Sequence, residues 1–281
     1  MSEFWLIMQW PTLAALVMAP LHCLFGLHIV RRGVIFVDLA VAQMAALGTA
    51  VALASHHEVG SPTTYWMSLG FALATALAIS VTRFKLGRVP HEAIIGIIFV
   101  VASALAIVVL ERTEHGLEEM QDILRGSLLL VSPAVVQDSA IVYGVILLIA
   151  LFAWRAITAV SLDEPSAPTG LRRVLVDVLF YALLAFVVVA SVKVAGVLVV
   201  FAWLVMPPVC AFLWVGKMKH AIAFSLPIAV AGTFGGLWLS FTKDWPTGPA
   251  VVVVLGGIVA ALYVAKLFVP ERPDGDEVVP W

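Results

Sequence analysis

Residues 91–110, HEAIIGIIFVVASALAIVVL, form an almost uninterrupted apolar stretch of the length that crosses a bilayer as an α-helix. Eight more stretches of this kind occur along the 281-residue chain. The predicted spans are 4–30, 34–54, 63–82, 91–110, 135–154, 174–192, 194–215, 220–240 and 247–268. Hydrophobic residues make up 62% of the chain and charged residues 12%, with a mean hydropathy of +1.07, which is too apolar for a water-soluble protein. We therefore predict an all-α polytopic membrane protein, with one transmembrane domain over 1–281 and a short tail at 269–281.

Basic residues are distributed unevenly between the loops. Arg31 and Arg32 follow the first span, the loop 55–62 has no Lys or Arg, and three basic residues follow the third span. This alternation continues to the C-terminus. Because Lys and Arg concentrate in cytoplasmic loops, the pattern predicts that the N-terminus lies outside and the C-terminus lies in the cytoplasm.

Sequence motifs of common catalytic sites are absent. The chain has no Gly-rich Walker loop, no H-E-x-x-H motif and no G-x-S-x-G motif. The two cysteines, Cys23 and Cys210, both fall inside apolar spans, which argues against a disulfide framework and favours simple packing. We therefore predict no catalytic residues and no tightly bound cofactor in this chain.

Two connections between spans depart from simple short loops. Residues 118–133, EEMQDILRGSLLLVSP, contain an apolar stretch too short to cross the bilayer, on the predicted outer side. This segment is either a surface helix on the headgroups or a short helix dipping into a water-filled vestibule. Residues 155–173, RAITAVSLDEPSAPTGLRR, form the longest predicted cytoplasmic connection. This connection is either a solvated linker or a docking element for a soluble partner.

Asp38 is the acidic residue predicted to lie closest to the membrane interior, and Gln43 follows five residues later. A carboxylate inside the membrane is costly, so it is a candidate functional group. An alternative is that Asp38 pairs with Arg31 or Arg32 near the membrane surface. The sequence leaves both readings open.

Two clusters of histidine and carboxylate side chains fall in the predicted outer loops. Imidazole and carboxylate groups together suit divalent transition metals. The clusters are His56, His57 and Glu58, and His115 with Glu118 and Glu119. We predict that they form a funnel for incoming metal ions, since clustered acids raise the local cation concentration. The alternative is that these side chains are simply solvated.

Four stretches, in this order, resemble the integral-membrane permease subunits of zinc/manganese/iron-type ABC importers. They are residues 28–52, HIVRRGVIFVDLAVAQMAALGTAVA; residues 91–132, which combine the span quoted above with HGLEEMQDILRGSLLLVS; residues 161–173, SLDEPSAPTGLRR; and residues 194–213, VAGVLVVFAWLVMPPVCAFL. The resemblance implies a type II ABC importer-like fold in a bacterial inner (plasma) membrane. It also implies a homodimer, a cytoplasmic ABC ATPase, an extracytoplasmic metal-binding protein, and zinc, manganese or iron as the transported ion.

The resemblance also assigns roles to residues of this chain. Asp38, Gln43, Pro207 and Pro208 would line the translocation path; Asp122, Arg125, Gly126 and Ser127 would belong to an outer gate segment; and Leu162, Asp163, Glu164 and Gly170 would form the coupling loop for the ATPase. The chain departs from the family pattern, because many members carry an Asp-x-x-x-His pair in the second span. Here Gln43 stands at the His position, and Asp38 is one residue out of register.

Two other functional classes remain compatible with the residues. An ATP-independent secondary transporter or exporter would need a coupling carboxylate deep in a span, for which Asp38 is the candidate. A structural membrane subunit without a transport path would suit the scarcity of polar residues in the spans.

Overall fold

A computed structural model describes residues 2–58, 60–85, 89–111, 113, 118, 126 and 128–269. These residues form ten α-helices and one short 3-10 helix. The α-helices are α1 (Ser2–Arg32), α2 (Val37–Ala54), α3 (Pro62–Lys85), α4 (His91–Leu110), α5 (Pro133–Phe152), α6 (Trp154–Ser161), α7 (Gly170–Ala195), α8 (Val197–Trp214), α9 (Met218–Lys243) and α10 (Thr247–Leu267). The 3-10 helix is Leu128–Leu130.

The prediction of nine membrane-spanning helices is confirmed within the described ranges. All the α-helices except α6 are long and apolar enough to cross a membrane. Proline begins two of them, Pro62 in α3 and Pro133 in α5, where the first helical residue needs no backbone donor. Gly196, with a φ of 81°, follows α7 and ends it in a conformation that glycine adopts without strain.

Proline residues inside α1 and α8 do not end these helices. Pro11 and Pro20 lie within α1, and Pro207 and Pro208 lie within α8. Each proline still removes one backbone donor, so a carbonyl one turn earlier in the helix loses its usual partner.

The connection between the fifth and sixth spans is shorter than the sequence predicted. Residues 154–161 form helix α6, and α7 begins at Gly170 rather than at residue 174, so the predicted connection 155–173 narrows to residues 162–169. Ile157 and Val160 are buried on one side of α6, which packs against α7. Burial of this apolar side against α7 stabilises residues 154–161 as a helix. The acidic pair and the prolines, which indicate a loop, come after this helix.

The described parts of the chain divide into two compact units. The first is drawn from Met1–Gly33, Leu128–Tyr143 and Leu198–Trp281. In this unit α1 packs against α9, and α9 packs against α10. Trp203 of α8 donates a hydrogen bond from Nε1 to Oγ1 of Thr233 in α9 at 2.8 Å. This bond satisfies a buried indole N–H inside an otherwise apolar contact.

The second unit is drawn from Val34–Ser127 and Gly144–Val197. Helix α2 is its centre, because α2 packs against α3, α4 and α7. The contact with α3 is close: a Cβ at Gly48 would overlap the backbone of Met67. That the two units form one domain over 1–281 stays a prediction, as does the orientation of the termini.

Candidate functional site

Asp38 lies in the first turn of α2 and is only 2% exposed. Its Oδ1 atom is buried and has no hydrogen-bond partner among the described residues. A buried carboxylate oxygen without a donor is costly, so its retention points to a functional role. The structure thus places Asp38 in a buried position, and its role in the translocation path stays a prediction.

Gln43 is also buried in α2, and its Oε1 atom has no partner within the described part of the chain. Five residues separate it from Asp38, which corresponds to about 140° around a helix. The two side chains therefore point from different faces of α2. The structure does not bring them together as a ligand pair, which agrees with the departure from the family pattern seen in the sequence.

A small cavity borders the same helix. Its volume is about 30 Å³, which is enough for about one water molecule. It is lined by Ala42, Ala45, Ala46, Thr49, Ser68, Val189, Val192 and Lys193 from α2, α3 and α7. The Nζ atom of Lys193 lies 5.9 Å from the centre of the Tyr65 ring. Small apolar residues and a lysine are not ligands for a divalent cation, so this cavity is not a metal site.

Pro207 and Pro208 are both buried in α8. Pro208 has no N–H for the carbonyl of Leu204, four residues earlier. Gly26 of α1 lies directly against this carbonyl oxygen, and a Cβ at Gly26 would overlap it. The structure thus shows a close contact of α1 at the proline pair, while a role of Pro207 and Pro208 in the path stays a prediction.

The predicted coupling loop has a defined backbone. Asp163 adopts a φ of 50° and Gly170 a φ of 58°, both in the left-handed region. A guanidinium nitrogen of Arg173 donates a hydrogen bond to Oδ1 of Asp163 at 2.8 Å. The Asp163 side chain is 80% exposed, and Glu164 is also exposed, so both carboxylates face outward from the loop. Leu162 follows α6 directly and ends it.

The predicted outer clusters are only partly described. His56, His57 and Glu58 are exposed, and His56 has a φ of 63°. His115 and Glu119 lie outside the described residues, and Glu118 is exposed. Among the residues that the structure describes, no three His, Cys, Asp or Glu side chains converge as a metal site. That these clusters form a funnel for metal ions stays a prediction.

The predicted gate segment also lies mostly outside the described residues, which exclude Asp122, Arg125 and Ser127. Gly126 is described, with a φ of 71°, and its backbone lies directly against Gly196 at the end of α7. A side chain at position 126 would overlap this backbone. The close approach fixes Gly126 against the junction of α7 and α8, and the gating role stays a prediction.

Two further acidic groups, Asp177, which is buried, and Glu92, which is half-buried, add to those that the sequence singled out. Asp177 is fully buried in α7, so Asp38 is not the one acid deep in a span. The sequence placed Asp177 near the start of a span, whereas α7 begins four residues earlier and the side chain lies in its second to third turn. Glu92 of α4 accepts a hydrogen bond at Oε1 from the backbone N–H of Phe36, at 2.9 Å.

Comparisons with known proteins agree with this architecture. The sequence profile described as the ABC 3 transport family matches residues 5–269. A probable iron transport system membrane protein of Haemophilus influenzae is 29% identical over 225 residues, covering 77% of this chain and 78% of the relative. The manganese transport system membrane protein MntC of Halalkalibacterium halodurans is 26% identical over 251 residues, covering 85% of this chain and 83% of the relative.

Solved structures show the same fold. PsaBC from Streptococcus pneumoniae, in complex with a Fab, superimposes with a TM-score of 0.73 at 21% identity and covers 95% of both chains. An inward-facing putative metal-chelate type ABC transporter gives a TM-score of 0.67 at 17% identity, covering 92% of this chain and 85% of that one. With nine apolar helices among its described residues and a family match over residues 5–269, the chain is a multi-pass inner-membrane permease that belongs to the ABC 3 transport family.

Proposed function

We propose that this chain is the membrane-spanning subunit of an importer that moves a divalent metal ion, Mn²⁺ or Fe²⁺, at the expense of ATP hydrolysed by a separate soluble subunit. The match to the ABC 3 transport family over residues 5–269 carries this proposal. Relatives that align with most of the chain are named for manganese and iron transport, which favours these ions over zinc.

The side chains of the candidate path agree with this choice of ion. Asp38 and Gln43 offer oxygen atoms, and no described cluster of histidines or cysteines accompanies them. Carboxylate and carbonyl oxygens suit Mn²⁺, whereas zinc sites usually recruit nitrogen and sulfur ligands. Weak oxygen ligands also allow the ion to leave, which conduction requires.

The connection 162–169 is the proposed contact for the ATPase. It exposes the carboxylates of Asp163 and Glu164, and a salt bridge from Asp163 to Arg173 ties it to the first turn of α7. Helix α6 packs against α7, so a force applied at this connection reaches a membrane-spanning helix directly. The proposed assembly contains two copies of the permease, two ATPases and an extracytoplasmic metal-binding protein.

Co-purification tests the proposed partner. The tagged permease, extracted in mild detergent from its native host, is expected to bring down a soluble protein with a Walker motif. The double variant Asp163→Lys, Glu164→Lys is expected to lose that protein, because it reverses the charge of the exposed loop. The matched control, Asp244→Lys, changes an exposed acidic residue after α9 and is expected to retain it. Failure of the wild-type permease to capture any ATPase would contradict the proposal.

A further inference from the structure

The cavity beside α2 lies where three helices of the second unit meet. Side chains of α2, α3 and α7 line it, and it has room for about one water molecule. Two of these side chains carry hydroxyl groups, Thr49 at 8% exposure and Ser68 at 9%. Neither hydroxyl has a hydrogen-bond partner among the described residues. The cavity therefore contains two buried polar groups that a water molecule or a small ion would satisfy.

The side of α2 that borders this cavity also carries Asp38. Positions 38, 42, 45 and 49 follow the spacing i, i+4, i+7 and i+11, and the last three of them line the cavity. At about 100° of rotation per residue, these four positions lie within about 40° of one another around the helix. The buried carboxylate of Asp38 is thus on the cavity side of α2, about 16 Å along the helix from Thr49.

Lys193 adds a positive charge to the wall of the cavity. It lies in the last turn of α7 and is exposed, so its ammonium group is charged. No acidic side chain within the described part of the chain lies at salt-bridge distance from it. Its Nζ atom lies 5.9 Å from the centre of the Tyr65 ring, which attracts a cation but does not neutralise it. The ammonium group is therefore an uncompensated charge beside the cavity, near helix ends that are predicted to lie outside.

A fixed positive charge opposes the entry of a cation, and the repulsion is largest where little water screens it. Membrane pores use an electrostatic barrier of this kind to exclude cations. An importer driven by ATP needs such a barrier, because a path that is open between cycles would let ions leak. We propose that Lys193 is the charge that controls cation entry, and that its ammonium group keeps cations out of the cavity on the Asp38 side of α2. This inference rests on the proposed function, since it names the residue that controls access to the ion path.

A purely structural role for Lys193 makes a different prediction. A lysine that only packs against Tyr65 can be replaced by methionine, which has a similar length, without any effect on cation entry. If the charge controls entry, Lys193→Met admits cations faster, and Lys193→Arg, which keeps the charge, does not. The two variants therefore separate the effect of charge from the effect of packing.

Silver ions test the proposal, because Ag⁺ is about as small as a water molecule and displaces the proton of a thiol. Thr49→Cys places a thiol in the cavity of the full-length permease in lipid nanodiscs. The thiols that remain free after exposure to Ag⁺ are counted by maleimide labelling of the denatured protein. The reaction at Thr49→Cys is expected to be about fivefold or more faster when Lys193→Met is added, and to stay slow with Lys193→Arg.

Two controls accompany this measurement. Lys243→Met removes another exposed lysine from the last turn of a helix, α9, and is expected to leave the rate at Thr49→Cys unchanged. His57→Cys gives the rate at an exposed position after α2, and Lys193→Met is expected to leave that rate unchanged. The wild type, with its buried Cys23 and Cys210, supplies the background. Ser68→Cys repeats the test from α3 if Thr49→Cys unfolds at a lower temperature than the wild type.

Equal Ag⁺ rates with lysine and methionine at position 193, including no reaction with either, would overturn the proposal. An equally large acceleration by Lys193→Arg would also overturn it, because space rather than charge would then control entry. ATP-driven Mn²⁺ uptake by the wild-type complex tests the proposed function independently. Normal uptake together with equal Ag⁺ rates would reject the role of Lys193 and leave the importer intact.

Discussion

Gly26 of α1 lies directly against the carbonyl oxygen of Leu204 in α8, the carbonyl that Pro208 leaves without a helical partner. Only a residue without a Cβ fits there. The contact places the α1 backbone beside Pro207 and Pro208. It also shields the carbonyl of Leu204, which has no helical hydrogen-bond partner. Five residues later, the guanidinium of Arg31 donates a hydrogen bond to the carbonyl of Gly216 and lies over the ring of Phe212. Helix α1 therefore contacts α8 and the residues after it at two positions along its length, Gly26 and Arg31.

Gly26→Ala is expected to destabilise the protein by about 1–3 kcal/mol or more, because the new methyl group would overlap the carbonyl oxygen of Leu204 and the ring of Pro208. Thermal unfolding in detergent would show this as a lower midpoint. The control is Gly144→Ala in α5, where an added Cβ meets no atom within 4 Å of it. Equal midpoints for the two variants would contradict the close contact.

Gly170→Val is expected to uncouple ATP hydrolysis from metal uptake. The φ of 58° at Gly170 is strained for a β-branched residue, although the space around the position is open. The variant therefore changes the backbone at the start of α7 rather than filling a contact. Gly170→Asn is the matched control, because asparagine tolerates this conformation. Normal uptake by the valine variant at normal ATPase activity would show that this loop does not couple ATP hydrolysis to metal uptake.

Cysteine labelling tests the predicted orientation. His57 and Lys219 are both exposed and follow the second and seventh spans. In intact cells, a membrane-impermeant maleimide is expected to label His57→Cys and to label Lys219→Cys only after permeabilisation. The native Cys23 and Cys210 are buried, so they are expected to remain unlabelled. Labelling of both introduced cysteines from the same side would overturn the topology.

Removal of the first outer cluster is expected to affect capture rather than conduction. In the triple variant His56→Ala, His57→Ala, Glu58→Ala, the half-saturating metal concentration should rise at low ionic strength, and the maximal uptake rate should stay unchanged. The difference should shrink at high salt, because these exposed groups act by a screened field. A lower maximal rate that is independent of salt would assign these residues to the path itself.

The sequence predicted the spans well because hydrophobic length alone determines them. The predicted and observed helix bounds differ most around α6 and α7. There the acidic pair and two prolines suggested a longer loop, whereas residues that include the apolar Ile157 and Val160 form helix α6. Asp38 was recognisable as a charged residue inside an apolar run. The hydrogen bond of Glu92 to the residue before α2 was not recognisable, because it joins positions 36 and 92, and spacing along one helix says nothing about packing between helices.

Uptake of radioactive Mn²⁺ into proteoliposomes tests the central claim most directly. The vesicles contain the permease with its co-purified ATPase, the extracytoplasmic metal-binding protein of the same host is added outside, and ATP is trapped inside, on the ATPase side. The account predicts that Mn²⁺ accumulates in the wild type only when hydrolysable ATP is present, and that Asp38→Asn reduces this accumulation to the background level. Accumulation that proceeds without ATP and follows a proton or ion gradient would contradict the account and favour a secondary transporter.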